Sequence, residues 1–169
     1  MQHSGNTTRY TRSRFRRWWP KRWRKSSGAT RQRERLPYRS RETLLSRGEA
    51  AFFGPLQRAV NGEFLIMSKV RLADLVSCSA TEWRTGYGGA ISQKHVDFVL
   101  CDPSTTRFIL AIELDDRTHD SADRKRRDRF LNEVLATVGI RLLRVRAKSY
   151  YSLPSLRSLV HEALQKLPS

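Results

Sequence analysis

Cysteine is nearly absent from the chain: Cys78 and Cys101 are the only two in 169 residues. Neither stands at metal-site spacing from a second Cys or His, and two cannot build a disulfide scaffold. They are expected to pack as small apolar residues in a reducing compartment. Long apolar runs are also missing; none approaches the roughly 20 residues that span a bilayer. No charged start followed by an apolar signal segment occurs, so the expected location is the cytoplasm. Acids are scarce as well, with 16 Asp and Glu against 33 Lys and Arg and a formal net charge of +17. A field of that sign calls for a polyanionic partner, nucleic acid first and an anionic membrane surface second.

The basic excess is uneven. Residues 1–50 carry 15 basic and 3 acidic side chains. Residues 1–41 hold few aliphatic side chains and cannot bury a core, so they are expected to be a disordered basic arm. Within the arm lies RFRRWWPKRWRK, residues 14–25. Arg16, Arg17, Lys21 and Arg22 suit phosphates, while Trp18, Trp19 and Trp23 can stack on bases. The same pattern suits an anionic membrane surface, although Pro20 interrupts a membrane-lying helix.

Residues 42–169 are expected to form one domain. Ser46-Arg47-Gly48-Glu49 fits a capping box, and Phe52, Leu56, Ala59 and Val60 recur at helical spacing up to the stop at Asn61-Gly62. Residues 64–72 read as a strand. A Gly-rich stretch with Trp83, Gly86, Gly88 and Gly89 reads as a loop. Strands are expected at 95–102, 107–114 and 140–146, with helices over about 121–138 and from Pro154. The third strand is apolar on both faces and needs helices on both sides. The order α-β-β-β-α-β-α therefore predicts an α/β protein with a three-layer α/β/α sandwich.

The few acids concentrate where the chain is most apolar. Asp97 interrupts its strand between Val96 and Phe98, and Glu113 lies near the end of the next. The turn at Asp102–Ser104 makes these strands hairpin neighbours, which brings the two carboxylates within a few ångströms. Asp115 points the same way as Glu113, because side chains alternate along a strand. Carboxylates gathered away from water persist when a cation binds them, or when Arg and Lys meet them. Mg²⁺, a hard cation that uses one or two carboxylates and keeps waters, suits such a site, with Mn²⁺ as a substitute. Next to a phosphodiester it activates water, and the imidazole of His119 is placed to shuttle the proton. Arg124, Lys125 and Arg127 on the following helix can hold a phosphate backbone. Asp97 and Glu113 have an alternative, a structural network with Arg107, Lys94 or Arg127. Glu49 likewise has the capping box as its alternative.

VDFVL at 96–100, IELDDRTH at 112–119, RRDRFLNEVLATVGI at 126–140 and LLRV at 142–145 resemble domain of unknown function 2726, an uncharacterised bacterial family. Residues 36–60 and 69–76 resemble its opening segments, so the likeness covers about residues 36–160. That family is placed with the PD-(D/E)XK restriction-endonuclease-like proteins, close to the very-short-patch-repair endonucleases. The resemblance implies a Mg²⁺-dependent nuclease acting on DNA, with RNA as an alternative substrate. Asp97 matches the first acid of the motif and Glu113 the second; with Asp115 as auxiliary, they would hold the metal. His119 sits where the repair-endonuclease branch carries a catalytic histidine, and Glu49 resembles a helix acid used at the metal. Asp115 stands where the motif usually has Lys, a departure for which Lys69 on the first strand can substitute, or Lys94 beside the second, although Lys94, three positions from Asp97, is expected to face the other side. An inactive nucleic-acid-binding module on the same fold is the alternative implication.

Overall fold

The computed structural model describes residues 36–115 and 122–165. Residues 36–40, which precede the folded unit, are exposed and lack regular secondary structure. The unit that follows begins at Arg41. Its first helix, α1 (Arg47–Val60), starts where the sequence places a capping box. Ser46 Oγ accepts from the Glu49 N–H at 3.3 Å, and Glu49 Oε2 accepts from the Ser46 N–H at 2.8 Å. Asn61 ends the helix in the left-handed conformation, φ 45°, which Asn tolerates better than most residues.

Four strands follow: β1 (Leu65–Arg71), β2 (His95–Cys101), β3 (Phe108–Asp115) and β4 (Arg141–Arg146). They lie side by side in chain order. β1, β2 and β3 run antiparallel, whereas β4 runs parallel to β3. A parallel neighbour needs a crossover, and α5 (Ala122–Thr137) supplies it. The last helix, α6 (Leu153–Gln165), opens with Pro154 in its first turn, where the missing N–H costs no hydrogen bond.

The stretch between β1 and β2 differs from the expected loop. It holds three short helices, α2 (Leu72–Leu75), α3 (Ala80–Arg84) and α4 (Tyr87–Ser92). The cause is local. Ser79 and Glu82 form a second capping box, which nucleates α3 despite the glycines behind it. Gly88 then serves close packing, because a Cβ there would run into the Trp83 ring.

Alternation along β2 divides the core. Phe98 and Leu100 pack with Leu110, Ile112, Phe52 and Leu56 of α1, and Leu156 and Val160 of α6. Val99 and Cys101 pack instead with Ala111, Leu72 of α2, Ile91 of α4, and Leu131 and Leu135 of α5. Both faces of the central strands are therefore apolar and covered by helices. Each fully buried Leu or Phe stabilises by about 1.5–3 kcal/mol. The result is a mixed α/β domain. Among the described residues no helix is long and apolar enough to cross a membrane.

Candidate active site

The strand register assembles the site. Ser68 lies opposite Phe98 and Val70 opposite Val96, which sets Lys69 across from Asp97. Phe98 lies opposite Ile112, which sets Asp97 across from Glu113. Glu113 in turn lies beside Arg144 on β4. A row therefore crosses all four strands in the order Lys69, Asp97, Glu113, Arg144, with signs plus, minus, minus, plus.

Each of the two central acids is held by a backbone N–H of the other's strand. The Asp97 N–H donates to Glu113 Oε1 at 3.1 Å, and the Leu114 N–H donates to Asp97 Oδ2 at 3.0 Å. Glu113 is 5% exposed. Burial, together with the charge of Asp97, pushes its carboxyl up to about 7, against the opposing pull of the Asp97 N–H, Arg144 and Arg127. Burial also raises Asp97, aided by Glu49 and opposed by the Leu114 N–H and Lys69. Neither central acid hydrogen-bonds a guanidinium among the described residues. The expected alternative partners are engaged differently. Lys94 lies over the Phe130 ring, 5.0 Å from its centroid, and Arg127 acts on Glu113 only through its field.

The flanking cations have partners of their own. Lys69 Nζ bonds Glu49 Oε1 and stands 3.6 Å from Asp97 Oδ1. Burial disfavours the ammonium, yet Glu49 and Asp97 outweigh it and hold Lys69 above its usual range. Lys69 also has φ 56°, a left-handed backbone inside a strand. Such a conformation costs a non-glycine residue about 1 kcal/mol or more, and it occurs where surrounding structure enforces it. At the other end, Arg144 bonds Asp115 Oδ1 at 2.7 Å and Asn132 Oδ1 at 3.0 Å, and reaches the Asp128 carbonyl at 3.4 Å. The carboxylate of Asp115 is thus drawn to β4.

Lys69, Asp97 and Glu113 line a cleft of about 810 Å³, whose remaining wall includes Arg41, Lys94, His95 and Arg127. Asp115 and Glu49 do not line it. The structure therefore brings together Asp97, Glu113, Lys69 and Arg127 and sets Asp115 and Glu49 behind them. Among the described residues no group of three or more His, Cys, Asp and Glu side chains gathers closely enough to hold a metal ion. His119, Arg16, Arg17, Trp18, Trp19, Lys21, Arg22 and Trp23, and the side chains of Arg124 and Lys125, lie outside the described residues.

Sequence reasoning passed over Arg41, His95 and Arg144. His95 carried a signal, because it precedes Asp97 by two positions on one strand and so shares its face. Arg144 carried none, since only the parallel register beside β3 makes it a neighbour of Glu113 and Asp115.

Residues 41–164 match a family described as protein of unknown function, DUF2726. No curated protein and no solved structure matches the chain.

Proposed function

We propose that this chain, which belongs to the DUF2726 family, is a Mg²⁺-dependent nuclease that hydrolyses phosphodiester bonds in DNA. Mn²⁺ would substitute. The fold would then be the three-layer restriction-endonuclease-like α/β/α sandwich of the PD-(D/E)XK proteins. The observation that carries this proposal is the meeting of Asp97, Glu113 and Lys69 in one cleft with a basic wall.

The donor set fits a hard divalent cation. Two carboxylates on adjacent strands are the number and type that Mg²⁺ takes from protein, with waters and phosphate oxygens completing its shell. The proton affinity of Glu113 has the same sense: a cation would relieve the crowding of two negative groups out of water. Asp97 and Glu113 would hold the ion, and Asp115, paired with Arg144, would not be a direct ligand. When bound, the ion polarises a phosphoryl oxygen and makes water a better nucleophile.

The chain's own groups do the remaining work. The ammonium of Lys69, beside Asp97, stands in for the lysine that the motif carries two residues after its second acid. It offsets charge growing on the phosphate. Arg41, Lys94 and Arg127 on the cleft wall would grip the nucleic-acid backbone without regard to sequence, so binding should weaken steeply with salt. A proton-transfer role for His119 and phosphate contacts by Arg124, Lys125 and residues 16–23 remain part of the proposal.

Cleavage of a panel of DNA and RNA forms, with and without Mg²⁺ or Mn²⁺, tests it. Wild-type protein should cut DNA only with the ion, and Asp97→Ala should be inert. Equal cutting by both proteins, or none by either, would sink the nuclease.

A second proposal, an inactive nucleic-acid-binding module, draws on the Asp115–Arg144 pair, which fills the usual lysine position with a structural ion pair. It predicts no tight divalent site and DNA binding unchanged by Glu113→Gln.

A further inference from the structure

Resting on the nuclease proposed above, we infer that Glu49 is a positioning residue for Lys69, a support built from α1 that sets the ammonium beside Asp97, and is not itself a metal ligand.

Both carboxylate oxygens of Glu49 are already committed. Oε2 accepts from the Ser46 N–H at 2.8 Å, and Oε1 accepts from Lys69 Nζ. The residue is 9% exposed and takes no part in the cleft wall. A ligand to an ion held by Asp97 and Glu113 would need an oxygen turned toward the cleft. Both oxygens are instead occupied, one by the Ser46 N–H and the other by the Lys69 ammonium.

Lys69 gains the most from this support. A lysine is a point charge on a four-carbon stem, and a stem left loose in an open cleft samples many positions. Two restraints act on it. Its backbone takes φ 56°, directly across the sheet from Asp97. Its ammonium end is tied to a carboxylate whose own place is set by the first turn of α1. With both ends restrained, Nζ stands 3.6 Å from Asp97 Oδ1.

The arrangement also gives the capping box a second task. In α3 the same motif, Ser79 with Glu82, is exposed, and the Glu82 carboxylate has no hydrogen-bond partner beyond Ser79 among the described residues. In α1 the equivalent glutamate is buried and reaches across to β1. Capping alone explains the first pair and leaves the Lys69 bond of the second unexplained.

Full-length protein cutting DNA with Mg²⁺ provides the test, in wild type, Asp97→Ala, Glu49→Gln, Lys69→Met, the Glu49→Gln/Lys69→Met double variant and Ser46→Ala. Glu49→Gln should lower kcat about 10- to 100-fold, the usual cost of losing an outer-shell support. KM and the half-saturating Mg²⁺ concentration should stay at wild-type values. The double variant should be no slower than Lys69→Met alone, because the positioning role of Glu49 passes through that lysine. Ser46→Ala keeps the residue 46 N–H and the Glu49–Lys69 bond, so it should cut as wild type. If Glu49→Gln melts too low to assay, Glu49→Asp keeps the charge but falls short of Lys69, and the same loss of kcat is expected. The inference is overturned if Glu49→Gln cuts as wild type, if it raises the half-saturating Mg²⁺ concentration about tenfold or more, or if its loss multiplies with that of Lys69→Met. A silent wild-type protein removes the nuclease and this inference together. An active wild type with an inert Asp97→Ala and an unaffected Glu49→Gln removes the inference alone.

Discussion

Lys69 and Arg144 occupy the two ends of one row of charge, yet they are built for different tasks. Lys69 flanks the half-buried Asp97 and Arg144 the buried Glu113, and each gives its hydrogen bonds to another group, Lys69 to Glu49 and Arg144 to Asp115. Arg144 is woven into the domain. Its planar fork also holds Asn132 and the Asp128 carbonyl, tying β4 to α5. Lys69 is a single ammonium on the wall of the cleft, tied to one carboxylate of α1. The difference teaches why the central acids remain short of positive charge: both neighbouring cations are shared with acids outside the pair. Under the proposed function, a bound Mg²⁺ would supply the missing positive charge.

Removing a central charge should have the largest effect. Glu113→Gln is expected to lower cleavage by on the order of a thousandfold, as loss of a preorganised charge does. It should also change stability in a pH-dependent way. Folded Glu113 binds its proton more tightly than the unfolded chain does, so its favourable contribution is complete below pH 4.5 and is lost as pH rises through about 7. The shift from 4.5 to about 7 corresponds to roughly 3 kcal/mol. Metal-free thermal unfolding should therefore find Glu113→Gln more stable than wild type at pH 8 and nearly equal to it at pH 5.

Swapping the ends is the next most informative change. Lys69→Met should cost cleavage about a hundredfold and stability about 1–2 kcal/mol, because it leaves the buried Glu49 carboxylate without its donor. Arg144→Met should cost about 2–3 kcal/mol, because it leaves the Asp115 carboxylate and the Asn132 oxygen without their donor. Kinetics and denaturant titration of both variants check the contrast. A stable, inert Arg144→Met beside an unstable, active Lys69→Met would reverse the roles.

The smallest expected effect lies outside the row. Ser46→Ala removes the cap of α1 and should cost about 1 kcal/mol in a thermal or urea melt, with no change in cleavage. A tenfold loss of cleavage would mean that the cap itself, and not only Glu49, holds the lysine.

Much of the fold was legible because local signals agreed with one another. The capping box at Ser46, the stop at Asn61, and the paired apolar runs around the Asp102 turn each stand within a few residues of the chain. The convergence of Asp97 and Glu113 followed from that short turn, since a hairpin leaves its strands little choice of register. The helices after β1 are hidden in the sequence by the glycines around them, which mask the Ser79–Glu82 box and the packing of Trp83 on Gly88. Asp115 was grouped with the other acids on strand alternation alone, and its capture by Arg144, 29 residues later, could not be read from spacing.

Residue order alone marked the four strands and the helices α1, α5 and α6, and showed that two carboxyl groups interrupt apolar strands in a basic chain. Only the tertiary structure decided which cation each carboxylate meets, where Glu49 spends its second oxygen, and which of the acids face the cleft. Hydrogen bonding and side-chain period act over a few residues and so leave a mark in the order of the chain. Charge pairing acts through space, and its partners are chosen by sheet register and helix packing.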